Sequence, residues 1–485
     1  MKKLLCALFI FVLVSTVYLN AQSKTEKIDK LVKSYYESEK FMGTVLAAEK
    51  GKVIYRKGIG YANIEWKTPN SPEGVFRIAS ITKTFAAVLT MQLVQEGKLK
   101  LESKISEFLP YYRKDIGENV TMHHLLTHSS GIPNYLQLPG FTTDLIRNPM
   151  VSVEDFIKKY CSNDLQFKPG EKFTYNNSGY AILGAIIEKV TGQRFEEVLK
   201  VKILDPAGMK NTGFDRSSLL LENRVTGYVR AMDGSFRPAP YWDISQAYAA
   251  GQMYSTVDDM LKYHEALMGE KLLKDEFKKI MFTKYYPAFG HHYGYGWMIR
   301  DMELKKGEEP LLINSHEGGL PGFNLYFARI PEKDQVAIIL NNTSDAPLKD
   351  MSMDIFSILN GLEYKYARKS LTRQMYKVLN KSGIESALKY FNENKSKKGK
   401  FDLSENELNA LGYELMNTNR KAEALEVFKI MAGEFPESSN AYDSLAEGYM
   451  NLGDNENAIK YYQKSLELNP QNVNAETMIK KIKQL

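Results

Sequence analysis

The chain has 485 residues, of which 44% are hydrophobic and 25% are charged. This is enough apolar material for a large core and for two or three domains, and it excludes a globally disordered chain. The 64 basic and 58 acidic residues leave a formal charge of +6. Because no basic block is interleaved with aromatic residues, we expect no nucleic-acid partner.

The N-terminus has the layout of a secretory signal. Lys2 and Lys3 precede an apolar run over residues 4–19, and Ala21 stands where such signals are cleaved. The run is shorter than the roughly 18 residues that a spanning helix needs. We therefore predict a signal peptide over residues 1–21, a periplasmic or extracellular location, and no membrane span after cleavage. An uncleaved anchor is the alternative.

The next three hundred residues alternate between strand and helix patterns. Residues 44–62 form two β-rich runs around Lys50-Gly51, which predicts a hairpin. Apolar residues recur at three- and four-residue intervals in residues 82–95 and 180–190, which predicts helices. A second hairpin is predicted over residues 323–340. The expected fold class is α+β, an antiparallel β-sheet flanked by helices.

After residue 364 the β-type runs end and the sequence becomes helix-forming. Two copies then follow each other at the 34-residue tetratricopeptide period. The positions in register are Leu408, Leu411, Gly412, Leu415, Ala424, Phe428 and Pro436 in the first copy, and Tyr442, Leu445, Ala446, Tyr449, Ala458, Tyr462 and Pro470 in the second. We predict one α+β domain over residues 22–364 and an all-α tetratricopeptide array over residues 365–485, with a capping helix at its end.

Such an array has a concave surface that commonly receives a protein or peptide ligand. Packing of the array against the chain's own first domain is the alternative.

The first candidate catalytic motif is Ser80-Ile81-Thr82-Lys83, a Ser-x-x-Lys motif at the start of a predicted helix in the first domain. Positions three apart share a helix face, so Lys83 can reach the Ser80 hydroxyl and help to remove its proton. The same pattern occurs at Ser386-Ala387-Leu388-Lys389 in the helical tail. We interpret that second copy as a chance match.

Two further motifs follow Ser80 in order: Tyr175-Asn176-Asn177 and His316-Glu317-Gly318. Tyr-x-Asn also occurs at Tyr61 and Tyr390, so that motif means little alone. With the flanking residues 125–132, 251–260 and 293–297, the set resembles the serine β-lactamase-related family of class C β-lactamases, low-molecular-weight DD-peptidases, D-aminopeptidases and esterases. The resemblance covers residues 25–360.

The resemblance implies a role for each motif residue. Ser80 would be the nucleophile, and Lys83 would help to remove its proton. Tyr175 would be a general base toward Ser80 and later toward the deacylating water, its phenolate favoured by the Lys83 cation. Whether Lys83 or Tyr175 takes the first proton is open. Asn177 would hold Lys83 and donate to a substrate carbonyl.

The resemblance implies that the third motif contacts the oxyanion and the substrate. Gly318 and Gly319 lie on its strand, and the backbone N–H groups of Ser80 and Gly319 would form the oxyanion hole. Where β-lactamases have Lys-Thr-Gly, this chain has His316, which is mostly neutral at pH 7. We therefore expect weak β-lactam hydrolysis and a D-amino-acid-containing peptide, an amide or an ester as substrate. A purely structural His316 is the alternative.

The remaining histidines do not predict a metal site. The group His123, His124 and His128 and the pair His291 and His292 lack the ligand spacing of one. We expect packing or surface roles for them, and no metal or other cofactor. The function predicted overall is an exported serine hydrolase. A β-lactamase or DD-peptidase proper, and a non-catalytic scaffold that uses the tetratricopeptide array, are the alternatives.

Overall fold

A computed structural model describes residues 24–139, 141, 148–150, 152–303, 309–344 and 346–484. The chain divides into two compact units. Within the described ranges, the first unit contains residues 24–36, 40–229 and 237–366, and the second contains residues 37–39, 230–236 and 367–484. The predicted signal peptide lies outside the described residues. Among the described helices, none is long and apolar enough to cross a membrane.

The strands up to residue 366 are β1 (Gly43–Glu49), β2 (Lys52–Ile59), β3 (Tyr61–Asn63), β4 (Thr68–Pro69), β5 (Phe76–Arg77), β6 (Gly213–Phe214), β7 (Tyr228–Arg230), β8 (Phe236–Pro238), β9 (Met253–Ser255), β10 (Tyr286–Ala288), β11 (His291–Tyr293), β12 (Met298–Met302), β13 (Leu311–Leu320), β14 (Phe323–Ile330) and β15 (Gln335–Asn341). Within the described residues, eight of these strands form one antiparallel sheet in the order β10-β11-β12-β13-β14-β15-β1-β2.

Both predicted hairpins are confirmed. β1 pairs with β2, and the turn residues Lys50 and Gly51 have φ of 51° and 69°, the left-handed conformation that tight hairpins favour. β14 pairs with β15 across the second turn. β15 is buried along its whole length, as expected for a strand covered on both faces.

The helices of the same part of the chain are α1 (residues 24–37), α2 (Thr82–Gln95), α3 (Ile105–Phe108), α4 (Lys114–Gly117), α5 (Met122–Leu126), α6 (Val153–Tyr160), α7 (Asn177–Thr191), α8 (Phe195–Leu199), α9 (Asp205–Ala207), α10 (Tyr248–Gly251), α11 (Val257–Met268), α12 (Asp275–Met281) and α13 (Leu348–Asn360). The two predicted helices are confirmed as α2 and most of α7. α2 is buried from Thr82 to Leu93 and packs against α7 and α10, so it is the central helix of its layer.

From residue 367 to residue 484 the second unit is helical apart from the short parallel pair β16 (Lys369–Ser370) and β17 (Phe401–Asp402). Its helices are α14 (Leu371–Asn394), α15 (Glu405–Asn417), α16 (Lys421–Glu434), α17 (Ser439–Asn451), α18 (Asn455–Leu468) and α19 (Val473–Ile482). The pairs α15–α16 and α17–α18 are the two predicted repeats. A Cβ at Gly412 would lie 2.2 Å from the Phe428 ring, which explains the small residue at that repeat position.

Candidate active site

Ser80 lies on a tightly held turn that leads into α2. The turn follows β5, which pairs with β9, and the Ile78 N–H donates to the Met253 carbonyl at 2.9 Å. Ala79 has φ of 48°, a left-handed conformation that is rare for a residue other than glycine and is found where surrounding structure enforces it. Ser80 follows directly, at the positive end of the α2 dipole, which favours negative charge on its oxygen.

Lys83 is the buried partner of Ser80. Its side chain is 0% exposed, and Nζ lies 3.0 Å from Ser80 Oγ, 2.8 Å from Asn177 Oδ1 and 2.8 Å from the Ala250 carbonyl oxygen. Burial holds the pKa of Lys83 well below its usual range. A neutral amine has two N–H groups and one lone pair. It therefore fits these partners by donating to Asn177 and Ala250 and accepting from the Ser80 hydroxyl.

Tyr175 completes the convergence that the sequence predicted. Its hydroxyl interacts with Ser80, and Lys83 Nζ lies over its ring, 4.9 Å from the centroid. Burial raises the pKa of Tyr175, the interaction with Ser80 opposes this, and the Glu317 carboxylate raises the pKa further.

The expectation of a Tyr175 phenolate favoured by a Lys83 cation is therefore not supported. The Lys83 amine sits over the ring face, and burial disfavours the charged form of both groups. We assign a protonated phenol to Tyr175 at neutral pH.

Asn177 is the first residue of α7, and the preceding Asn176 caps that helix by accepting from the Gly179 N–H. The Asn177 amide oxygen accepts from Lys83, as predicted, while its amide nitrogen donates to Asn134 Oδ1 at 3.3 Å. The sequence analysis missed Asn134, because its position in a loop carries no periodic pattern.

The third motif lies on the second half of β13. β12 pairs with β13 only as far as Ser315, so the later part of β13 is free to face the Ser80 turn. A Cβ at Gly318 would lie 2.4 Å from the Ile78 carbonyl oxygen, so glycine permits this close approach. Gly319 follows it on the cavity wall. The oxyanion role of the Ser80 and Gly319 N–H groups stays a prediction.

A buried hydrogen-bonded chain supports this strand. The Asn176 N–H donates to His128 Nδ1 at 3.1 Å, and His128 Nε2 lies 3.1 Å from the Tyr293 hydroxyl. That hydroxyl lies 3.1 Å from His316 Nε2, and His316 Nδ1 lies 2.7 Å from the Glu317 carbonyl oxygen. Since an N–H only donates and a carbonyl only accepts, we assign donation from His128 to Tyr293, from Tyr293 to His316, and from His316 to Glu317.

This network makes His316 a framework residue. It is 1% exposed, and both of its ring nitrogens have protein partners. Burial, assisted by the nearby Lys83, lowers the pKa of His316 to about 3, so its ring is neutral. The alternative of a structural His316 is the one that this geometry favours.

His128 differs from the surface or helix-packing role that the sequence suggested. It is buried in the network, and burial holds its pKa well below the usual range. Its neighbour His123 instead bonds the Tyr295 hydroxyl at 2.8 Å. Across the residues that the structure describes, no group of three or more His, Cys, Asp or Glu side chains could hold a metal ion.

The catalytic candidates open onto a cavity of about 440 Å³. Ser80, Tyr175, Asn177, His316 and Gly319 all line it. Much of the remaining wall is apolar and includes Tyr135, Leu136, Trp242, Phe289 and Leu320. The wall also includes three charged side chains, those of Arg300, Glu317 and Lys349. The site thus combines an activated hydroxyl with an apolar cleft that has charge on one side.

A buried lysine against a serine hydroxyl, on this sheet and helix framework, defines a serine hydrolase of the β-lactamase fold. Residues 28–360 match the Beta-lactamase family model, and residues 439–472 match the Tetratricopeptide repeat model. The chain belongs to the beta-lactamase family and carries tetratricopeptide repeats at its C-terminal end.

Relatives and solved structures agree with this assignment. The chain is 29% identical over 341 residues to the Bacillus subtilis (strain 168) protein PbpX, named for penicillin binding, which covers 70% of this chain and 80% of the relative. It is 30% identical to an octameric penicillin-binding protein homologue from Pyrococcus abyssi, with a TM-score of 0.61 over 74% of this chain and 81% of that one. D-amino acid amidase from Ochrobactrum anthropi shares the fold at 22% identity and a TM-score of 0.57, over 74% of this chain and 99% of that one.

Proposed function

We propose that this protein is an exported serine hydrolase that forms an acyl-enzyme at Ser80 with an amide, peptide or ester substrate. The observation that carries the proposal is the fully buried Lys83 amine, which lies 3.0 Å from the Oγ of Ser80, a residue that lines an open cavity. Export rests on the N-terminal sequence pattern alone.

In the proposed acylation step, Ser80 gives its proton to the neutral Lys83 amine as Oγ attacks the substrate carbonyl carbon. The N–H groups of Ser80 and Gly319 stabilise the oxyanion, an effect worth about 3 kcal/mol for one donor in such sites. Tyr175, still protonated, gives its proton to the leaving group as the scissile bond breaks. The proton held by Lys83 then passes to Tyr175, so that both groups are neutral in the acyl-enzyme.

Deacylation reverses these roles. A water molecule enters where the leaving group stood and, as it attacks the acyl carbon, gives a proton to Tyr175 while Tyr175 passes its own proton to Lys83. Ser80 Oγ leaves and recovers a proton from Lys83, whose buried amine returns to its neutral form. The net reaction is hydrolysis, and no group outside the chain is needed for the balance of protons.

The apolar walls favour an acyl portion with an apolar or aromatic side chain, including a D-amino-acid residue. A β-lactamase or DD-peptidase activity is the second candidate, since several relatives carry penicillin-binding names. The neutral, internally bonded His316 gives no fixed cation for a substrate carboxylate, which weighs against this candidate. We also propose that the tetratricopeptide array receives a protein or peptide ligand.

The direct test is labelling by a fluorophosphonate probe, with the intact chain weighed by mass spectrometry. We expect one adduct on the native protein and on Ser386→Ala, and none on Ser80→Ala. Absence of an adduct on all three proteins would instead support the scaffold alternative. A labelled penicillin and a panel of D-aminoacyl amides, muropeptide fragments and short-chain esters then separate the substrate classes.

A further inference from the structure

Glu317 is the charged side chain that the third motif presents to the cleft. Successive residues of a strand face opposite sides, and along the end of β13 the buried residues His316 and Gly318 alternate with the exposed residues Glu317 and Gly319. Glu317 therefore shares its face with Gly319, whose N–H is the proposed oxyanion donor. The substrate-facing position of this motif carries a carboxylate.

The Glu317 carboxylate is not neutralised by a direct contact. Among the described residues it has no hydrogen-bond or ion-pair partner for its side chain. Arg300 on β12 and Lys349 at the start of α13 also line the cavity. Burial raises the pKa of Glu317, and the charges of Lys349 and Arg300 oppose this shift and favour the ionised form.

Tyr175 is the residue that relates Glu317 to the reacting groups. The carboxylate raises the pKa of that phenol, so its charge acts at the reacting centre. Glu317 and Tyr175 line the same cavity. Because Tyr175 protonates the leaving group in the proposed mechanism, we take Glu317 to lie on the leaving-group side of the scissile bond.

We propose that Glu317 is a specificity-determining residue that favours substrates with a cationic group on the leaving side and disfavours a carboxylate there. This inference rests on the proposed function. A positive group would meet an accessible, unpaired carboxylate, whereas a negative group would meet like charge beside the oxyanion hole. The ligand class is an amide or ester whose leaving amine or alcohol carries an ammonium group.

The test uses three phenylacetate esters that share one acyl group and differ in the alcohol: choline, 2-methoxyethanol and 3-hydroxypropionic acid. Hydrolysis is followed by pH-stat for the full-length protein, Glu317→Gln and Glu317→Lys. Glu363→Gln is the matched control, because Glu363 is an exposed carboxylate that does not line the cavity. Comparing each variant with the native protein removes the intrinsic reactivity of the esters.

We expect the ratio of kcat/KM for the choline ester to that for the anionic ester to fall about 10-fold in Glu317→Gln, and to fall further in Glu317→Lys. The neutral ester should change less than about threefold in Glu317→Gln, and added salt should reduce the native preference. An unchanged ratio in both variants would overturn the inference while leaving the hydrolase intact. Failure of the native protein to cleave the neutral ester or to take the fluorophosphonate label would contradict the proposed function, and this inference with it.

Discussion

Two regions of the molecule carry the same four-residue pattern with opposite surroundings. At Ser80 and Lys83 the lysine is fully buried and bonded to a serine, an asparagine and a backbone carbonyl. At Ser386 and Lys389, on α14, the lysine is exposed. The sequence spacing is identical, so spacing alone does not create a base. Burial and partners from distant segments create the base, because they remove the lysine's preference for its charged form.

The largest expected effect on hydrolysis comes from replacing the two lysines one at a time. Lys83→Met keeps an unbranched side chain of nearly the same length and removes the base, so we expect kcat/KM for a cleaved ester to fall about 10³-fold. Lys389→Met should stay within twofold of the native value. Steady-state kinetics on both variants measure these values. Equal losses of kcat/KM in the two variants would contradict the distinction between the two regions.

A second contrast concerns the Tyr-x-Asn pattern. Tyr175→Phe keeps the ring, whose centroid lies 4.4 Å from that of the His128 ring, and removes only the hydroxyl that protonates the leaving group in the proposed mechanism. We expect about a 10²-fold loss in kcat/KM.

Tyr390→Phe is the control, because Tyr390 has the same sequence pattern but packs against Phe401 in the second unit. It should leave hydrolysis unchanged. Full activity of Tyr175→Phe would remove the phenol from the proposed mechanism.

A third and smaller effect concerns stability against pH. The pKa of Lys83 is lowered in the folded chain and is about 10.4 when unfolded. Between these values the unfolded chain binds a proton that the folded chain lacks, so this term makes the free energy of unfolding rise with pH, by up to about 1.4 kcal/mol per pH unit.

Urea unfolding at several pH values measures this term as the difference between the native protein and Lys83→Met. The difference should increase in favour of the native protein from neutral pH toward about pH 10. Between the native protein and Lys389→Met it should stay flat. A flat difference for Lys83→Met would mean that Lys83 is charged in both states.

The sequence predicted the parts of the fold that depend on local pattern. The hairpin at Lys50-Gly51, helix α2 and the 34-residue repeats were all recognisable, because turn residues and hydrophobic periodicity act over short distances. The motif order also predicted that Ser80, Lys83, Tyr175 and Asn177 meet. That prediction came from the family resemblance and not from the spacing of the residues.

The sequence could not predict what depends on burial and long-range partners. The protonation states of Lys83 and Tyr175 follow from the space around them, and the expected phenolate was not supported for this reason. The bonded chain from His128 through Tyr293 to His316 joins three distant segments. The alternation that turns Glu317 toward the cleft depends on the register of β13.

The central claim is that burial keeps the Lys83 amine neutral beside Ser80. The most direct measurement is NMR of the full chain with ¹³C-labelled lysine side chains, with the Lys83 Cε signal assigned by its loss in Lys83→Met. We predict that this signal has the shift of a neutral amine at pH 7, while the signal assigned through Lys389→Met has that of an ammonium. A Lys83 signal that titrates near 10.4, as an exposed lysine does, would contradict the claim.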